Sequence, residues 1–193
     1  MNARSVPVCA ERLRRGDLVL SYTPKFGKEN LITHFQEREG YCPDASNVGH
    51  VAAYVGNGDV IHAVRDGGVQ RQTMLSYFNG QKVTLLTWDR RGPDPEMTDR
   101  QLVAEFELAC GQKYDTAALA QRVIQDLRSR RIPEKQTPRK DFLVCSTLIF
   151  QVFDAVLGKN NPLAVSDCPP RGSFRMPAAY FILPTLEDID IAA

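Results

Sequence analysis

The stretch GHVAAYVGNGDVIHAV, Gly49 to Val64, constrains this chain more than any other. Two apolar runs flank Asn57-Gly58, a pair that accepts positive φ at both central positions of a tight turn, so the stretch reads as a β-hairpin. Alternation along Gly49–Asn57 places His50, Ala52 and Tyr54 on one face and Val51, Ala53 and Val55 on the other. Along Asp59–Arg65, His62 shares a face with Val60 and Val64. Regular pairing about a two-residue loop sets Gly56 against Asp59 and leaves His50 beyond the end of the second strand, whereas a bulge changes that register. Whether the two imidazoles meet is therefore a question of register.

Around the hairpin the chain divides into a strand-rich first half and a helical second half. Strands are expected at Leu18–Thr23 and Val83–Trp88, with a short edge strand at Val69–Arg71 after the Gly67-Gly68 turn. A short helix is expected at Leu31–Arg38 and a helical turn at Thr73–Phe78. Glu39–Asn47, rich in Gly, Pro, Asp and Asn, reads as a loop at the rim of a cleft, and Arg90–Glu96 as a connector. Thr98 with Gln101 forms a capping-box pattern that opens a helix ending near Gly111. Asp115 caps a second helix over Thr116–Arg128, whose Arg128, Arg130 and Arg131 read as a solvated C-terminal turn. After a polar loop, Met176–Leu183 is expected as an edge segment, and Glu187, Asp188 and Asp190 are expected to face water.

The 193 residues, 43% of them hydrophobic, suffice for a core and suggest one domain over residues 1–193. A net charge of +1 gives no argument for nucleic acid or an anionic membrane. No signal-peptide core and no apolar run of membrane-spanning length is visible, so synthesis in the cytoplasm without stable membrane insertion is expected, with export by a specialised machine left open. The five cysteines show neither a disulfide framework nor zinc-ribbon spacing.

One cysteine stands apart. In FLVCSTLIFQVFDAVLG, Phe142 to Gly158, the apolar positions Leu148, Ile149, Val152, Phe153, Val156 and Leu157 recur at helical spacing, and Cys145 lies at the helix start. Free backbone N–H groups there favour a thiolate. A cysteine nucleophile also needs a base and a group that orients it, which makes His50 and His62 the pair to weigh. The plainer alternative is a buried structural thiol with two packing histidines. His34, Cys9, Cys42, Cys110 and Cys168 are weaker candidates, Cys110 because the dipole at a helix C-terminus disfavours its thiolate. A metal held by Cys145, His50 and His62 is a further chemical option, but no fourth ligand is apparent. Phosphate-loop, dinucleotide and deaminase patterns are absent from the sequence.

GDLVL at Gly16–Leu20, the hairpin stretch, and VCSTLIF at Val144–Phe150 together resemble the circularly permuted branch of the NlpC/P60-like cysteine hydrolases. That branch includes YiiX-like bacterial enzymes and lecithin retinol acyltransferase-like proteins. The resemblance spans Asp17 to Leu183, with the histidine motif preceding the cysteine helix. It implies an α+β, permuted papain-like fold, an antiparallel sheet packed against helices. It assigns Cys145 as nucleophile, His50 as general base and His62 as the third polar residue, with Tyr22 and the Cys145 backbone N–H lining an oxyanion site. No cofactor or metal is implied. The implied function is a cysteine peptidase or amidase that cleaves a peptidoglycan peptide through an acyl-enzyme, in the setting of a secreted antibacterial effector with secretion machinery or an immunity protein as partner. Two alternatives accompany it: a lipid or thioester acyl hydrolase or acyltransferase, and a catalytically silent binding module of the same fold.

Overall fold

The computed structural model describes residues 11–22, 33, 36–37, 46–78, 83–88, 94–114, 142–163 and 185–189. Its main sheet has six strands: β1 (Leu18–Tyr22), β2 (Val48–Gly56), β3 (Asp59–Val64), β4 (Gly68–Thr73), β5 (Val83–Leu86) and, numbered in chain order after two short strands, β8 (Thr185–Ile189). They are ordered β4-β3-β2-β1-β5-β8, and every adjacent pair is antiparallel. The helices are α1 (Met74–Phe78), α2 (Pro95–Ala109) and α3 (Cys145–Leu157). Two short strands, β6 (Lys113–Tyr114) and β7 (Phe142–Leu143), form a separate parallel pair. The expected α+β arrangement, an antiparallel sheet packed against helices, is therefore present.

The hairpin forms about Asn57 and Gly58, whose φ values of 56° and 78° are those of a tight primed turn. Gly56 faces Asp59, as a two-residue loop requires, but Tyr54 and not Val55 faces Val60. Val55 is thus the extra residue of a β-bulge, and Gly56 beside it takes a φ of 99° that favours glycine. The consequence reaches six residues further. Regular pairing would carry Ala53 opposite His62 and send the two imidazoles to opposite faces; the one-residue shift turns His62 onto the face of Ala52 and His50.

The two faces of the sheet are buried differently. Under α2 and α3, Leu18, Leu20, Val51, Ala53, Ile61 and Ala63 meet Leu102, Phe106, Leu148, Ile149 and Phe153. Trp88 stands edge-on to Phe153, ring centroids 5.5 Å apart, and its indole N–H donates to the Gly16 carbonyl. On the opposite face Val19, Ala52, Tyr54, Val60 and Leu85 are covered by Met74 and Tyr77 of α1 and by Leu13.

Two elements differ from their sequence reading. α2 begins at Pro95 and not at Thr98, because the Asp94 carboxylate accepts from the Met97 N–H at 2.9 Å and Pro95 occupies the first turn, where a missing N–H costs nothing. The acidic Glu187 and Asp188 lie in β8, paired with β5 at the sheet edge, where the sequence reading placed no strand. The helix expected over Thr116–Arg128, the edge segment Met176–Leu183, and His34, Cys9, Cys42 and Cys168 lie outside the described residues. No helix among the described residues is long and apolar enough to cross a membrane.

Candidate functional site

Between Ala53↔Ile61 and the far end of the hairpin, β2 and β3 part: β2 runs back to Val48 along β1, and β3 runs on to Val64 along β4. His50 and His62 bridge that opening. Nε2 of His50 lies 2.9 Å from Nδ1 of His62, and the rings meet edge-on with centroids 5.1 Å apart. Tyr77 closes over both, 5.2 Å from His62 and 5.9 Å from His50. Its hydroxyl donates to the Val19 carbonyl and to Ser21 Oγ.

Burial fixes the charge state of this cluster. Desolvation, and then the neighbouring His62, lower His50 to about 3. Desolvation also lowers His62, opposed in part by the nearby Gln72 side chain. Tyr77 is pushed above the ordinary phenol range by burial, against the hydrogen bond to Ser21, with a further push from Cys145. All three side chains are neutral near pH 7. A neutral His–His bond needs one N–H and one lone pair, so the tautomers of the two rings are linked. The remaining nitrogen of His62, Nε2, is buried without a hydrogen-bond partner among the described residues.

Cys145 occupies the first position of α3, as the sequence indicates, and the backbone N–H groups of Val51, Ser146 and Cys145 itself point to its sulfur. Those three donors favour a thiolate, but burial outweighs them and raises the thiol to about 11. The expected low thiol pKa is thereby corrected. The sulfur belongs to the aliphatic core on the α3 side of the sheet, whereas the imidazoles pack with Tyr77 on the α1 side. Among the described residues no hydrogen bond joins Cys145 to either histidine.

Tyr22 lies on the α3 side, its hydroxyl 2.8 Å from Thr84 Oγ1, and so it is not brought to the histidine pair. Cys110 caps the C-terminus of α2; burial and then Glu107 raise its pKa, with Arg71 opposing. Sequence reasoning missed Tyr77 and Gln72. Alternation through β4 carries the signal for Gln72, and the aromatic in the Thr73–Phe78 turn carries that for Tyr77, but only the pairing of β3 with β4 connects either to a histidine.

The donor set does not suit a metal. His50 Nε2 and His62 Nδ1 are engaged with each other, and among the described residues no group of three or more His, Cys, Asp or Glu side chains is placed to hold an ion.

Fold and site define an α+β protein whose antiparallel sheet encloses a neutral His–His–Tyr cluster. No family model matches the chain, and no curated protein matches it. Among solved structures, the chain is similar to the YiiX metalloprotein of Escherichia coli O157:H7, with a TM-score of 0.55, 16% identity, and coverage of 91% of this chain and 96% of that one. This likeness is a distant, fold-level relationship.

These findings overturn the expected activity. The structural neighbour is described as a metalloprotein and not as a cysteine hydrolase. Among the described residues Cys145, His50 and His62 form no group placed to hold an ion, burial raises the thiol to about 11, and no hydrogen bond joins the sulfur to a histidine. The reading as a cysteine peptidase or amidase of the NlpC/P60 type that degrades peptidoglycan through an acyl-enzyme is corrected accordingly.

Proposed function

We propose that this chain is a binding module, one domain that keeps a permuted papain-like fold without its thiol chemistry, and that the opening between β2 and β3 is its ligand site. The chain order, a histidine-bearing hairpin followed by a helix that begins with cysteine, supports the permuted reading. His50, His62 and Tyr77 form the polar wall of the site, with Cys145 as its apolar neighbour; Tyr22 is a more distant lining group. The observation that carries this reading is that His50 bonds to His62 and not to the thiol, while burial keeps both thiol and imidazole neutral. A nucleophile needs its base within hydrogen-bonding reach and a pKa near the working pH. Here the thiol is raised, the base is lowered, and the His50 ring is bonded to another imidazole.

A thiol-reactive acyl probe tests the proposal. At pH 7 the folded protein is expected to show no labelling of Cys145 above that of the His50→Ala variant. Rapid acylation of Cys145 that disappears in His50→Ala overturns the binding reading.

A further inference from the structure

β2 carries a second irregularity, next to His50 itself. Leu20 faces Val51 and Ser21 faces His50, but Tyr22 faces Val48, so Gly49 is an extra residue of β2. The packing registers the shift. Val51 and Ala53 lie in the core under α3, and Ala52 and Tyr54 in the core toward α1, as alternation requires. Val48 is an even number of residues from Ala52, yet it is buried with Val51 under α3. The bulge at Gly49 is what lets Val48 face one interior while His50 keeps the face of Ala52.

A bulge disrupts the ladder locally, and buried backbone groups there need partners from elsewhere. The side chain of Gln36, itself fully buried, supplies them. Its Nε2 lies 2.7 Å from the Ser46 carbonyl and 2.9 Å from the Val48 carbonyl. Carbonyl oxygens only accept, so the end of the amide between them is its NH2 group, which has one proton for each. One proton holds the chain as it enters β2, and the other holds the first residue of β2, directly before Gly49.

We propose that Gln36 is a positioning residue for His50: its side-chain amide clips the Ser46 and Val48 carbonyls, holds the Gly49 bulge, and so aims the imidazole across the opening at His62. Two bulges then cooperate. The one at Val55 turns His62 onto the face of Ala52, and the one at Gly49, held by Gln36, fixes the backbone from which His50 reaches it. That reach is narrow, since the ring nitrogens are 2.9 Å apart and a shift of about 1 Å takes them out of hydrogen-bonding range. Without the amide, two carbonyls lose buried donors, and they regain partners by straightening the bulge or by moving toward water; either change displaces His50. The pair is the polar wall of the proposed ligand site, and in that respect alone the role of Gln36 rests on the binding reading.

The test is the ¹⁵N–¹⁵N scalar coupling across the His50–His62 hydrogen bond, measured at pH 7 in ¹⁵N-labelled protein. The coupling is expected in the wild type and lost in Gln36→Met, which keeps the length of the side chain without its donors. It is expected to survive in Phe153→Ala, which removes a buried ring on the α3 side, so that loss of stability alone does not account for the change. A coupling that persists in folded Gln36→Met overturns the role of Gln36. The wild type decides even where Gln36→Met does not fold: both side-chain amide protons of Gln36 are expected to be protected from hydrogen exchange and to open with the same urea dependence as the proton shared by the two imidazoles. Amide protons that exchange freely while the imidazole coupling is intact overturn the clip. Acylation of Cys145 that depends on His50 removes the binding reading and leaves the coupling result standing.

Discussion

The same three strands, β1, β2 and β3, build two unlike interiors. Toward α3, their side chains are aliphatic and meet Leu148, Ile149 and Phe153 in a dry core that also swallows the Cys145 sulfur. Toward α1, every second position continues the apolar pattern until Ser21, His50 and His62, which are polar yet shielded by Tyr77. The difference shows that a helix-start position does not by itself activate a thiol. Three N–H donors act on Cys145, and the apolar surroundings still win. On the other face the same cost of desolvation keeps two histidines neutral and makes their mutual bond and the Tyr77 cover the factors that fix them.

The comparison is most forcefully broken by removing a large side chain from each face. Phe153→Ala is expected to cost about 3–5 kcal/mol in urea unfolding, the range for a fully buried aromatic, and to leave the histidine tautomers as they are. Tyr77→Ala is expected to cost about 3 kcal/mol and in addition to bring the His50 pKa up from about 3 toward 6.5, because the ring that excludes water has gone. Histidine ring chemical shifts followed against pH separate the two variants.

Acid sharpens the contrast further. Both histidines titrate lower in the folded chain than unfolded, His50 at about 3, so as pH falls below about 6.5 the unfolded chain binds more protons. Their stabilising contribution is complete above about 6.5 and is lost as pH falls below it, for His50 down to about 3 with a slope of up to about 1.4 kcal/mol per pH unit, and for His62 in the same direction. Urea midpoints measured from pH 7 to pH 4 are expected to fall, and to fall less steeply in His50→Gln. The smallest effect belongs to α2, remote from the histidines: Asp94→Ala is expected to cost about 1 kcal/mol through the lost cap, without altering the acid profile.

Much of this architecture is legible in the chain itself because it depends on short-range patterns. The Asn57-Gly58 turn, the alternation through β2 and β3, and the helix from Cys145 to a terminating Gly158 all follow from local periodicity and turn chemistry. The start of α2 is masked in the sequence because Thr98 and Gln101 imitate a capping box, while Asp94 followed by proline supplies the actual one. Alternation raises the proximity of His50 and His62 as a question but does not answer it, since the answer depends on a single extra residue, Val55, that alternation alone does not mark. The state of Cys145 is not legible at all. Position on a helix is local, but the desolvation that raises this thiol comes from residues brought together by the whole sheet and two helices.

The central claim is that burial keeps thiol and imidazole neutral, with no hydrogen bond between them, so that they do not act as a pair. Alkylation of Cys145 by iodoacetamide, followed by peptide mass spectrometry across pH in the wild type and in His50→Ala, measures this directly. The account predicts slow modification at pH 7, a rise only toward the thiol value of about 11, and the same profile in both proteins. A reactive thiolate near neutral pH that is lost in His50→Ala would contradict it.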